Sequence, residues 1–362
     1  MDRRIPSLDG LRALSILMVL YGHAVGTAGF PVRHASLGLA ESGVRVFFII
    51  SGFLITQLLL NELDSTGRIS LKGFYRRRVL RIFPAFYTYW LVMLGLVLTG
   101  LLAIPGKDLI YAATYTINYV VNRPWYLGHL WSLAVEEQFY ALWPLTIVLL
   151  GWRRAFRAAG ALLLLVPVIR VAQVRLIPSH QLGITEEFHT IADCIATGCL
   201  LAGLRAWLWG QERYRRWLGS WQFWLAPGLT VLAVALYVHP EVKWLIGIPL
   251  FNVSVAVCID RWTRFPNADP VGRLLNWRPL AFIGVLSYSL YLWQQPFFNH
   301  RAHHWWNAFP WNVMGAFVLA SISYYTIEKP FLALRYKPRA AEGLGAPALE
   351  PMPSQAGSSE AA

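Results

Sequence analysis

The sequence predicts an all-α protein, a polytopic bundle of about ten transmembrane helices with both termini in the cytoplasm, and three observations carry that prediction. Hydrophobic residues make up 56% of the chain and charged ones only 14%, whereas an ordinary soluble domain is about a quarter charged. Apolar stretches recur at the length of about 17 to 25 residues that a helix needs to cross the hydrocarbon layer. The 17 Trp and 16 Tyr suit helices that pass the headgroup layer, where amphipathic rings concentrate.

Ten stretches qualify, at about 10–29, 41–60, 83–103, 131–150, 155–172, 188–207, 221–238, 243–260, 279–298 and 310–328. The first follows Arg3 and Arg4 and ends near the small residues Ala24 to Ala28, as a secretory signal would. Arg12 interrupts its apolar core and further long apolar runs follow, so it is read as a retained helix. Arg12 and His23 are eleven positions apart, which at 100° per residue brings them to one helix face about 16.5 Å apart along the axis. A histidine deep in a membrane suits proton removal from an alcohol, because its ordinary pKa leaves it largely neutral at pH 7. A packing histidine with a satisfied hydrogen bond is the competing reading.

The second stretch contains GVRVFFIISGFLIT (Gly43 to Thr56), in which Ser51 and Gly52 allow close helix approach and Ser51 has a hydroxyl to donate. It lacks the Gly-x-Ser-x-Gly arrangement of a serine nucleophile. Between the second and third stretches, FYRRRVLRIFP places Arg77, Arg78 and Arg81 at the cytoplasmic surface. Guanidinium forks there match phosphate oxygens, and they equally anchor a helix to anionic lipid headgroups.

The fourth stretch opens with HLWSLAVEEQFYALWP. Two adjacent carboxylates, Glu136 and Glu137, are costly beside so much apolar sequence, about 2.5 to 3.5 kcal/mol each if deep in the membrane. They point about 100° apart on a helix, so one of them faces a given cavity, or both lie solvated in the interface. Tyr140 is one turn beyond Glu136. At the start of the sixth stretch, His189 and Asp193 are spaced so that one can orient the other. Cys194, Cys199 and Cys258 lie in apolar runs without metal or redox spacing and read as packing residues. His300, His303 and His304 cluster near the chain's last apolar stretch with no acid or Cys to complete a metal site. Residues 337–362 turn to Ala, Gly, Pro, Ser and Glu and are expected to form a disordered cytoplasmic tail to a transmembrane domain spanning 1–336.

The formal net charge of +13 raises nucleic acid as a partner. Most of the basic residues, however, fall in separated segments (RRIP, RRRVLR, GWRRAFR, RAWLWGQERYRR, the loop from Arg261 to Arg278, and the stretch after Lys329). The positive-inside rule assigns those segments and both termini to the cytoplasm. A basic face for nucleic acid is thereby excluded, and membrane lipids are the surrounding partner.

Taken together, LDGLRALSILMVLYGHA, GVRVFFIISGFLIT, RRVLRIFP, WSLAVEEQFY, SYSLYLWQQP and the closing IEKP resemble, in this order, the acyltransferase family 3 of membrane-bound O-acyltransferases, from Ile5 to about Phe331. The resemblance implies a membrane O-acetyltransferase that uses acyl-CoA, chiefly acetyl-CoA, without a metal, and acylates carbohydrates, lipid-linked sugars, surface polysaccharides or macrolides at the bacterial cytoplasmic (inner) membrane. It implies that His23 is the family's essential histidine with Arg12 its partner. Arg77, Arg78 and Arg81 would receive the acyl-CoA phosphates, Glu136 would orient or balance the His23 imidazolium with Glu137 beside it, and Asp193 matches an acidic position in a later helix. Ser51 and Tyr140 are assigned to the surroundings of the site. At Gln294 this chain departs from the histidine many members carry after Tyr-Leu-Trp, and no proton chemistry is assigned there. Larger members append a hydrolase-like domain, and a separate extracytoplasmic protein is expected to supply any second transfer step. The rival reading is a proton-coupled transporter or exporter with His23, Glu136 and Asp193 as a relay.

Overall fold

The computed structural model describes residues 5–32, 38–177, 184–238 and 240–334. The expected tail at 337–362, the N-terminal Arg3 and Arg4, and the loop residue His239 lie outside the described residues. All regular structure among the described residues is helical.

The long helices are α1 (Pro6–Ala24), α2 (Leu39–Thr66) and α3 (Leu71–Leu98). Two short helices, α4 (Gly106–Ala113) and α5 (Trp125–Gly128), then lead into α6 (Leu130–Leu150), which is followed by α7 (Trp152–Leu176) and α8 (Phe188–Gly210). Beyond them come α9 (Glu212–Gly219), α10 (Leu225–Ala235), the single turn α11 (Pro240–Val242) and α12 (Ile248–Arg264). A short α13 (Pro270–Leu275) precedes α14 (Arg278–Trp293), α15 (Trp311–Ser323) and the terminal α16 (Lys329–Ala333).

Helices occupy all ten expected stretches, but six are long and apolar enough to cross a membrane, or seven if the pair Glu212–Gly219 and Trp221–Ala235, bent by 76°, forms one span. The expected ten therefore exceeds what length and composition support. The shortfall has a local cause in each case. Helix α1 spends its 19 residues partly on Asp9, Arg12 and His23. Helix α14 stops after 16 residues, ahead of Pro296, and the α15 stretch carries Asn312 and Glu328 along with several hydroxyl residues. These three helices contain much of the polar machinery, which is why they fall short of simple spans.

Local sequence explains the joints. Helix α2 ends at Gly67, whose φ of 70° is the left-handed conformation glycine tolerates, with its N–H bonded to the Leu63 carbonyl. Three residues later Ser70 caps α3 by accepting from the Gly73 N–H. Gly151, at φ 77° and ψ 151°, is the single residue between the end of α6 and the start of α7.

Small residues set the packing. A Cβ added to Gly52 would lie 2.0 Å from the Ile195 carbonyl oxygen, and one at Gly198 would lie 2.0 Å from that of Ile49. Helices α2 and α8 thus touch backbone to backbone, as expected of Gly52. Helix α1 meets α14 likewise, where a Cβ on Gly284 would strike the Asp9 carbonyl. The outward faces of α3 and α7 are apolar and exposed, with Leu98, Leu164 and Val168 on them. An apolar exterior of this kind suits lipid and not water. The three cysteines are free and buried, as packing residues should be.

Candidate functional site

A cavity of about 500 Å³ opens between the C-terminal end of α1, the N-terminal ends of α2 and α6, and the loops around 118–128 and 185–187. His23, Glu41, His129, Tyr291 and Gln295 are among its walls. The location follows from chain direction: α1 delivers His23 near its end, while α2 and α6, starting at the same level, present Glu41 and His129 in or just before their first turns.

Within the cavity, His23 Nδ1 is 2.8 Å from Gln294 Oε1, and its ring meets the Trp125 ring edge-on with centroids 5.8 Å apart. Its Nε2 makes no hydrogen bond with any described residue. His129 is buried and held against the rings of Tyr89 and Tyr291. The Tyr291 hydroxyl donates to the His129 carbonyl at 2.8 Å and lies 2.5 Å from the Ser132 hydroxyl. Across the mouth, Arg123 pairs with Glu186, joining two of the lining loops. Burial holds the Glu186 carboxyl above the ordinary carboxylate range, against the lowering influence of Arg123.

One turn along α6 from Ser132, a second polar group lies among α2, α3 and α6. The Ser51 hydroxyl donates to Glu136 at 2.5 Å, and the Tyr140 hydroxyl does so at 3.4 Å. Glu137 pairs with Arg78 at 3.2 Å, and the Arg78 guanidinium lies 3.4 Å from the centre of the Tyr140 ring. Glu136 and Glu137 therefore face different partners, as their 100° separation requires.

The assignment of Glu136 as the group that orients His23 is corrected by this geometry. Glu136 is bonded to Ser51 and Tyr140, and the group on His23 is Gln294. The reason is tertiary: α14 packs along α1, and the residue following its last turn reaches the imidazole. Arg12 is also not at the cavity; it pairs with Asp9 at 3.4 Å on its own helix, so a shared face did not become a shared site.

The three arginines separate as well. Arg77, 42% exposed, pairs with Glu62 at 3.0 Å, whereas Arg78 is 16% exposed and engaged by Glu137 and Tyr140. Arg81 acts electrostatically on Glu328, which is buried and accepts a hydrogen bond from Ser289. Of Arg77 and Arg78, Arg77 is the more exposed.

Asp193 belongs to a third region. It forms a fully buried ion pair with Arg170, and Asn252 donates to its other oxygen at 3.2 Å. The expected pairing of His189 with Asp193 is not formed: His189 is 3.0 Å from Gln173 and 3.3 Å from Glu187. His23, Glu136 and Asp193 share no hydrogen bond. Beside Asp193, the completely buried Arg45 donates to Glu41 at 2.7 Å, and Lys243 reaches the other Glu41 oxygen at 2.8 Å.

Sequence reasoning passed over Arg45, His129, Tyr291 and Glu41. Arg45 had a visible signal, a lone guanidinium inside an apolar run. His129 stands at the very opening of its motif, just before the helix, and Tyr291 is indistinguishable in sequence from an interfacial aromatic. Among the described residues, no group of three or more His, Cys, Asp or Glu is placed to hold a metal ion.

A membrane protein with an imidazole open to a cavity and charged groups stepped across its helices belongs to the class of intramembrane polar enzymes or transporters. The chain matches the acyltransferase domain family over residues 5–327, and it belongs to that family. It is 28% identical to YrhL of Bacillus subtilis strain 168, a protein provisionally named a peptidoglycan O-acetyltransferase, over 91% of this chain and 55% of that one. It is 30% identical to the O-acetyltransferase OatA of Staphylococcus aureus strain NCTC 8325 / PS 47, over 81% of this chain and 50% of that one. The chain thus spans about half the length of these relatives. No solved structure matches it.

Proposed function

We propose that this protein is an O-acetyltransferase of a bacterial cytoplasmic membrane, moving an acetyl group from cytoplasmic acetyl-CoA to a carbohydrate hydroxyl. The observation that carries the reading is the placement of His23, whose Nε2 is unbonded on the wall of a cavity large enough for a sugar. Both termini lie in the cytoplasm, so that Arg77, at the start of α3, faces the CoA pool while the cavity opens toward the other side of the membrane.

In the reaction His23 Nε2 takes the proton of the acceptor hydroxyl as that oxygen attacks the thioester carbonyl. The carbon–sulfur bond breaks, and the departing thiolate receives the proton from the imidazolium. Attack by His23 Nε2 itself, through an acetyl-imidazole, uses the same geometry and the same leaving group. The arginines divide the donor's recognition: Arg77 meets phosphate at the surface, and Arg78, Glu137 and Tyr140 border the route inward. The name of the Bacillus relative points to peptidoglycan among carbohydrate acceptors, and the polar groups that His23, Glu41 and His129 place on the cavity wall can bond acceptor hydroxyls.

The test is acetyl transfer by the purified protein in proteoliposomes, with labelled acetyl-CoA inside and glycan fragments outside. Release of CoA thiol coupled to acetylated glycan is expected, and both should be lost in His23→Ala. A protein that moves solute without releasing thiol would be a transporter, and undiminished transfer by the variant would remove His23 from the chemistry.

A further inference from the structure

A neutral imidazole carries one N–H and one lone pair, and which nitrogen holds the proton is set by the hydrogen bond the other side of the ring makes. At His23 that bond leads into a chain of side chains whose direction is fixed by its far end. Gln295 Nε2 is 2.8 Å from the backbone carbonyl of Trp125. A carbonyl only accepts, so the Gln295 amide nitrogen must be the atom facing it. Gln295 Oε1 then points the other way and accepts from Gln294 Nε2 at 2.8 Å. Gln294 Oε1 is left toward His23 Nδ1, at 2.8 Å.

Turning either amide over would place two acceptors or two donors against each other at 2.8 Å, in a setting where Gln294 is 0% and Gln295 3% exposed. Buried polar groups without partners are costly, on the order of 1 to 3 kcal/mol each, so the direction does not depend on how amide atoms are assigned. The chain is also clamped: the Trp125 indole N–H donates to the Gln295 carbonyl at 2.7 Å, and the Trp125 ring abuts His23. The local sequence supports this geometry, because α14 ends at Trp293 and Pro296 forbids another helical turn, leaving the two glutamines side by side at the helix end.

We propose that Gln294 is a positioning residue that, through Gln295 and the Trp125 carbonyl, holds the proton of His23 on Nδ1 and keeps the Nε2 lone pair turned to the cavity. A neutral amide relay does here what a carboxylate does in a hydrolase triad, fixing tautomer and ring orientation, without placing a charge beside the base. The catalytic meaning rests on the acyl-transfer reading of His23; the tautomer itself does not.

The experiment therefore has two readouts on the full-length protein in nanodiscs. Nitrogen-15 NMR of labelled histidine should show His23 with a protonated Nδ1 and an unprotonated Nε2. Gln294→Leu should mix the tautomers and lower kcat for acetyl transfer at least about tenfold, within what general-base catalysis contributes, while the KM for acetyl-CoA stays unchanged. Gln294→His, whose two ring nitrogens can accept on one side and donate on the other, should restore both the spectrum and most of kcat. A protonated Nε2 in the unaltered protein would overturn the proposal, and so would an unchanged spectrum and kcat in Gln294→Leu. If the unaltered protein shows no turnover, the acyl-transfer reading fails on its own, and the nitrogen shifts still decide the tautomer.

Discussion

Two ionisable groups inside helices, His23 and Asp193, have opposite surroundings. Asp193 is closed off: Arg170 neutralises it and Asn252 occupies its second oxygen, all of them buried. His23 has one neutral partner, Gln294, and an unbonded Nε2 on a cavity wall. The contrast teaches that a costly polar residue in a membrane protein is interpreted by what remains unsatisfied. A saturated charge holds helices together, here α7, α8 and α12, whereas a half-satisfied one is available for chemistry.

The contrast is broken most decisively at His23. His23→Ala should reduce acetyl transfer by about 10²- to 10⁴-fold at a cost of about 1 kcal/mol of stability, because the Gln294 oxygen loses its donor. An equal loss of stability would make His23 structural like Asp193. At Asp193 the expectation reverses. Asp193→Ala leaves Arg170 charged and buried, and should cost about 3 kcal/mol of stability, read as a lower unfolding temperature. Replacing both partners, Asp193→Leu with Arg170→Leu, should recover most of that stability, and a double variant as unstable as the single one would contradict a simple ion pair.

Arg78 stands between the two cases, because it is saturated by Glu137 and Tyr140 yet lies on the proposed donor route. Arg78→Ala should raise the KM for acetyl-CoA about tenfold, roughly 1.4 kcal/mol. Adding Glu137→Leu removes the stranded carboxylate. Persistence of the high KM in the double variant would mark Arg78 as a donor contact, and its recovery would return Arg78 to the structural side. The smallest effect is expected at Ser51, where Ser51→Ala removes one of two hydrogen bonds to Glu136 and should cost about 1 kcal/mol of stability, read as a lower unfolding temperature. No change there would show that the Tyr140 hydroxyl alone satisfies Glu136.

Much of this could be seen in the sequence because membranes punish polarity. Helices occupy all ten expected stretches, six or seven of them long and apolar enough to span, and His23, Glu136 and Asp193 stood out as exceptions within them. The separation of Glu136 from Glu137 followed from helical geometry alone. Pairing was harder to see. The His189 and Asp193 spacing suggested a local couple, but α7 brings Arg170 to Asp193 from 23 residues away, and a buried guanidinium wins over an exposed imidazole. Arg12 and His23 share a face yet not a site, because that face is covered by different neighbours at its two ends.

What the sequence determined by itself was the class of environment: an apolar helical bundle, its basic loops, and the few side chains that do not belong in lipid. These are properties of composition and period, which each segment carries without its neighbours. Only the tertiary structure decided which of those side chains meet. The partner of His23 is a glutamine 271 positions away, delivered by the packing of α14 on α1 and oriented by the Trp125 carbonyl. Contacts of that separation depend on the way helices stack, and no local period encodes them.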